Sequence, residues 1–241
     1  SIVQLKAEEI ENWLKERQGD GEALLSSGAL IERIGQFLKT PDDKALKGYL
    51  IDRISAMQQA YDYDGVFLLD STGKTLLGSH PDRNIPDLTR ALARQILLQP
   101  AIRHTDLYLD ASGHEKMDWL VPMLSDERSL AIIVLRVDPH HFLYPMIKAW
   151  PGHSDSAETL LVRREGNEAL YLNELRYLEG TALRLRKPLD TPHFPPTIAL
   201  NSESPGIVRG RDYRGEEVLT AYRPIAGTPW RIIARVDRDE V

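Results

Sequence analysis

Apolar residues recur every three to four positions over the first sixty residues, then gather after residue 64 into short runs broken by glycine. That change of period predicts a helical beginning followed by antiparallel strands. Val3, Ala7, Ile10 and Leu14 fall on one face with Trp13 beside it, which predicts a long first helix. Leu30, Ile31, Ile34, Phe37 and Leu38 mark a second helix, and Leu46, Tyr49, Leu50, Ile54 and Met57 a third. Thr40 is the expected cap of the third helix, with Pro41 in its first turn and Asp42 and Asp43 at its positive end.

Further along, residues 66–69 and 74–78 predict a hairpin around Asp70-Ser71-Thr72-Gly73. Pro86 opens a helix carrying Leu88, Leu92, Ile96 and Leu97, which stops before Pro100. Strands are predicted at 103–109, 115–123 and 130–137. Asp138-Pro139 then begins a helix with Leu143, Met146, Ile147 and Trp150 on one side.

The strand-rich region is written twice. Residues 66–77 align with 159–170, apolar run over apolar run and Gly73 over Gly166. Asp110, Gly113 and Pro122 find counterparts at the same spacing in Asp212, Gly215 and Pro224. Ile132-Ile133 through Val137-Asp138 matches Ile232-Ile233 through Val236-Asp237. Three matches in order imply two tandem copies of one α/β unit.

Composition narrows the function. Across 241 residues, 42% are hydrophobic and 27% charged, which suits a chain with a packed core. Thirty basic against thirty-six acidic residues give a net charge of −6, the wrong sign for neutralising phosphates, so no nucleic-acid partner is expected. The absence of cysteine removes disulfides, thiolate nucleophiles and Cys-based metal sites. The purely aliphatic run 130–135 falls far short of the roughly twenty residues that cross a bilayer. The chain opens directly in a helical pattern and closes on a strand-like one, which leads to the expectation of a fragment between flanking membrane helices. His140-His141 point about 100° apart on a helix and cannot chelate one ion as an i, i+4 pair does. No nucleophile elbow or nucleotide-binding glycine loop occurs, so no catalytic residue, metal or cofactor is expected. Trp13, Trp119, Trp150 and Trp230 read as packing anchors.

The long first helix, the stretch Asp64 to Gly73 and the closing stretch Asp212 to Asp237, with its Gly hairpin, Pro-Ile, turn, Trp and apolar strand, resemble the double-Cache family. These are extracytoplasmic sensor modules of bacterial histidine kinases, chemoreceptors and diguanylate cyclases. The resemblance implies an α+β fold: a spine helix beside two tandem PAS-like subdomains, each with an antiparallel five-stranded sheet. It places residues 1–62 in the helical spine, 63–150 in a membrane-distal subdomain and 151–241 in a membrane-proximal one. It also implies a periplasmic location in an inner-membrane receptor, flanking transmembrane helices, a homodimer, and as partner a small polar metabolite or a periplasmic protein.

In related sensors small ligands sit in the distal subdomain, which directs attention to residues 80–123. Strand alternation is expected to put His104, Asp106 and Tyr108 on one face, and Lys116 and Asp118 together on the next strand with Trp119 turned away. These six are the expected ligand-binding residues, since mixed charge beside an aromatic ring suits an amino acid, amine or carboxylate. A wet sheet face shows the same polar alternation. The Tyr, Arg, Trp-Tyr and Asp arrangement by which many relatives grip amino acids is absent. Two other readings stand beside the sensor: a hydrolase or transferase using His104, Asp106 and Asp118, and a ligand-free dimerisation module.

Overall fold

The structure is a computed structural model that describes residues 1–80, 84–126 and 128–241. Three helices come first, α1 (Ile2–Leu25), α2 (Gly28–Lys39) and α3 (Lys44–Ala60). Strands β1 (Gly65–Asp70) and β2 (Thr75–Gly78) form the first hairpin, and α4 (Asp87–Leu98) follows. The first sheet is completed by β3 (Arg103–His104), β4 (Tyr108–Leu109), β5 (Glu115–Ser125) and β6 (Arg128–Val137). The short helix α5 (Leu143–Lys148) precedes β7 (Glu158–Glu165), β8 (Glu168–Tyr171), β9 (Arg186–Pro188) and α6 (Pro195–Leu200). The last strands are β10 (Gly206–Arg211), β11 (Glu217–Pro224) and β12 (Trp230–Asp237).

The chain forms two compact units. Lys15–Asp138 make one, called here the N-unit; Ser1–Leu14 with Pro139–Val241 make the other, the C-unit. The N-unit sheet runs β2-β1-β6-β5-β3 with β4 also on β5, and the C-unit sheet runs β10-β11-β12-β7-β8-β9. Read from the hairpin outward, the two orders coincide: hairpin, closing strand, Gly-turn strand, edge strand. The expected five strands are thus present in each copy. The count of six arises because the N-unit edge strand is split into β3 and β4, while the C-unit adds β9 outside β8.

The repeat extends to the turns. Gly73 and Gly166 both take positive φ at the tip of the first hairpin of their copy. Gly113 and Gly215, at φ 80° and 89°, close turns in which the backbone N–H of each glycine donates to the carbonyl of Asp110 or Asp212. Only glycine adopts that backbone without strain, so the sequence signal and the turn geometry have one cause.

In the N-unit, Phe67, Leu69, Leu120, Ile132 and Val134 pack on Ala93 and Ile96 of α4. In the C-unit, Leu160, Val162, Tyr171 and Ile233 pack on Ala199 and Leu200 of α6. The third helix starts later than expected. Asp43, not Thr40, is its cap, accepting the N–H groups of Ala45 and Leu46 at 2.9 and 3.0 Å. Thr40 instead closes α2, and the Asp43 N–H donates to the Thr40 carbonyl across a turn that holds Pro41. A proline at the second turn position suits that geometry better than a continuous helix.

Candidate ligand-binding site

The polar residues of the N-unit sheet converge under α4. Asp118 on β5 and Arg136 on β6 are direct cross-strand partners, both buried. Arg136 donates from Nε to Asp118 Oδ1 at 2.8 Å and from Nη2 to Oδ2 at 3.0 Å. The Thr89 hydroxyl of α4 and the Tyr108 hydroxyl of β4 donate to the same Oδ2 at 2.6 and 2.9 Å. Four donors saturate this carboxylate, and the guanidinium also lies 5.0 Å from the Phe67 ring centroid. Its Nη1 donates to the Asn84 carbonyl at 3.2 Å, tying the segment before α4 to the sheet.

Burial opposes the charge on Arg136, but the hydrogen bonds and charge of Asp118 more than offset it and hold the guanidinium protonated above its ordinary range. Burial, reinforced by the Asp118 charge, pushes the Tyr108 phenol well above its usual pKa, so it stays a donor. The cluster is therefore a fixed arrangement of one cation, one anion and two hydroxyl donors.

Five of the six expected residues divide between two faces. Tyr108, Lys116 and Asp118 share the α4 face: Tyr108 pairs with Lys116, and the Lys116 ammonium reaches Asp138 at 2.8 Å and Asp64 at 3.3 Å. His104 pairs instead with Trp119 on the opposite face, where the ring centroids lie 4.5 Å apart with the planes tilted by 44°. The expected alignment of His104 with Tyr108 fails because the register against β5 shifts by one residue between β3 and β4. One extra residue in a strand reverses every later side chain. Asp106 lies in this interruption and accepts the Leu107 N–H at 2.7 Å. The proposed acid–base trio of His104, Asp106 and Asp118 is accordingly not assembled. Residues 81–83, inside the stretch singled out for ligand contact, fall outside the described residues.

Arg136 and Thr89 were missed in the sequence, although Arg136 carried a signal. Both closing strands end in Arg-Val-Asp, at 136–138 and 235–237. In the C-unit Arg235 is equally buried and bonds to Glu158, to Asp212 at 2.8 Å and to the Tyr213 hydroxyl at 3.2 Å. The carboxylate directly paired across the strands stands on opposite sides of the repeated arginine in the two copies, and Arg235 has Asp212 in addition. Arg136 stands between Gly65 on β1 and Asp118 on β5, whereas Arg235 stands between Glu158 on β7 and Thr220 on β11. Burial and the Glu158 charge push Tyr213 up to about 12.

No protein-family profile matches the chain, and no curated protein matches it. Solved structures do. The ligand-binding domain of the Pseudomonas fluorescens chemoreceptor CtaA, in complex with L-serine, superposes with a TM-score of 0.62 at 18% identity, covering 99% of this chain and 95% of that one. The domain of the Pseudomonas aeruginosa amino acid chemoreceptor PctC, in complex with GABA, gives 0.67 at 20% identity over 98% and 96%. The extracellular domain assigned to the histidine kinase mmHK1S-Z2 gives 0.68 at 12% identity over 99% and 95%. The chain has a double-Cache-like fold. The match runs through both copies of the repeated unit. No helix of the chain is long and apolar enough to cross a membrane among the described residues.

Proposed function

We propose that this chain is the extracytoplasmic ligand-sensing domain of a membrane-bound signalling receptor. The observation that carries the reading is the likeness, over 98–99% of the chain, to ligand-binding domains of receptors solved with small amino acids. In this reading the N-unit is the membrane-distal sensing half and the C-unit the proximal half, flanking membrane helices hold the domain in the periplasm, and the receptor works as a homodimer.

The ligand site is the α4 face of the N-unit sheet, around Tyr108, Asp118 and Arg136, with Lys116 beyond them. His104, Asp106 and Trp119, singled out with them, stand at the interrupted edge strand and on the opposite face. A ligand carboxylate can compete with the Asn84 carbonyl for Arg136, and a ligand amine with the hydroxyls for Asp118. The first exchange frees the segment before α4 from the sheet, and the second loosens α4 at Thr89 and β4 at Tyr108. Binding thereby acquires a conformational consequence, as it must if occupancy is to bias one state over another.

The test is thermal shift and calorimetry with L-serine, GABA and a library of small polar metabolites. A ligand at one hundred times its Kd should add about 2.7 kcal/mol of stability. Binding that survives Asp118→Leu/Arg136→Met, a charge-free version of the pair, would remove the site. Failure of every metabolite, together with a cross-linked periplasmic partner, would favour a protein-interaction module. Turnover in a substrate screen that vanished in His104→Ala would favour a hydrolase or transferase.

A further inference from the structure

The C-unit holds a cleft of about 470 Å³ that the distal site does not use. It lies against the end of α5, the start of β7 and the residues after β8, and its size suits a small organic molecule. Trp150, half-buried, Tyr144 and Leu175 supply apolar wall.

Most of its polar groups are already spent on the protein itself. Glu158 accepts the Arg176 N–H at 2.6 Å, the Tyr213 hydroxyl at 2.9 Å and the Arg235 guanidinium. Asn173 accepts the Leu161 N–H at 2.7 Å and donates to the Glu174 carbonyl at 2.9 Å. Arg176 donates to the Ala157 carbonyl at 2.7 Å, and Glu174 accepts the N–H groups of Thr181 and Ala182 at the exposed rim.

Besides the remaining N–H groups of the Arg176 guanidinium and the Trp150 indole, two groups are left over, and both can donate. Thr159 is 5% exposed, yet its Oγ1 has no hydrogen-bond partner. A buried hydroxyl without a partner is uncommon and asks for an explanation. Lys148, the last residue of α5, presents an exposed ammonium that no carboxylate of the described residues pairs. An ammonium and a hydroxyl beside an indole ring select a negatively charged oxygen group attached to an apolar body.

We propose that this cleft is a second ligand site of the protein, taking a small monocarboxylate with an aliphatic or aromatic body: Lys148 and Thr159 hold the carboxylate, and Trp150 covers the apolar part. The site lies wholly within the C-unit and does not depend on the Asp118–Arg136 cluster.

The experiment is calorimetric titration of the protein with benzoate, butyrate and indole-3-acetate, with benzamide as the uncharged control. At least one carboxylate should bind with a Kd at or below the millimolar range, and benzamide at least tenfold more weakly. Lys148→Met and Thr159→Val should each weaken binding about tenfold or more, the loss expected for a hydrogen bond to a charged group. Thr159→Val should leave the unliganded melting temperature unchanged or raise it, because it removes an unpartnered hydroxyl at constant shape. Asp118→Leu/Arg136→Met should leave carboxylate binding intact, which separates failure of this site from failure of the distal one. No saturable binding of any of the three carboxylates up to about 10 mM, or binding that persists in Lys148→Met/Thr159→Val, overturns the proposal.

Discussion

Removing the Asp118 carboxylate tests whether the cross-strand ion pair organises the N-unit. In Asp118→Ala the Arg136 guanidinium, whose side chain is 3% exposed, keeps its charge and loses both of its hydrogen bonds to the carboxylate. Breaking a buried pair from one side typically costs about 3–5 kcal/mol, because the remaining charge is desolvated without compensation. For a domain of this size each kcal/mol moves the melting temperature by about 2–4 °C, so a drop of roughly 6–20 °C is expected. Replacing both charges behaves differently. Asp118→Leu/Arg136→Met removes the desolvation cost along with the attraction; it releases the carbonyl of the exposed Asn84 and strands two buried groups, the Thr89 and Tyr108 hydroxyls. Adding Thr89→Val and Tyr108→Phe removes those too, and the fourfold variant should recover to within about 2 kcal/mol of the parent. Urea unfolding gives the free energies, and hydrogen exchange at β5 and β6 shows whether the loss is local to this sheet. A cost below about 1 kcal/mol for Asp118→Ala, or a fourfold variant as unstable as the single one, would refute the argument.

Other substitutions follow from the same geometry. Tyr108→Phe alone should cost about 1.5–3 kcal/mol in urea unfolding, the range for a hydrogen bond to a charged acceptor. Gly210→Ala should cost about 1–3 kcal/mol, because a Cβ there overlaps the His193 carbonyl and the Pro195 ring at the approach to α6; a neutral result would mean that this approach yields. Glu240 accepts from the hydroxyls and N–H groups at residues 154–156, and the Ser154 and Ser156 hydroxyls pull its pKa down to about 2. A depressed carboxylate stabilises the fold fully above its ordinary value of 4.5, and the contribution fades as pH falls from there to about 2. Protection from hydrogen exchange at residues 154–157, relative to the intrinsic exchange rate at each pH, should therefore fall across that window, and Glu240→Gln should abolish that pH dependence of protection.

The sequence alone determined the copied architecture, because its signals are local. A glycine forced to positive φ, an apolar run of strand length and a proline after a charged turn each act through their own few residues, so Gly73, Gly113, Gly166 and Gly215 fall where their spacing put them. Helix identity was legible for the same reason, although the cap moved from Thr40 to Asp43 because both residues can cap and only the turn around Pro41 decides between them. Which side chains meet was left to the tertiary structure. The single residue gained between β3 and β4 sends His104 to one face and Tyr108 to the other, and no alternation rule applied to an unbroken strand anticipates it. Asp118 and Arg136 become partners only when β5 and β6 adopt one register. The repeated arginine in the other copy finds its cross-strand carboxylate on the opposite neighbour and a second one in Asp212, so the same Arg-Val-Asp sequence yields different pairing. Charge neutralisation in a buried sheet is a property of adjacent strands, and adjacency is set only when the chain has folded.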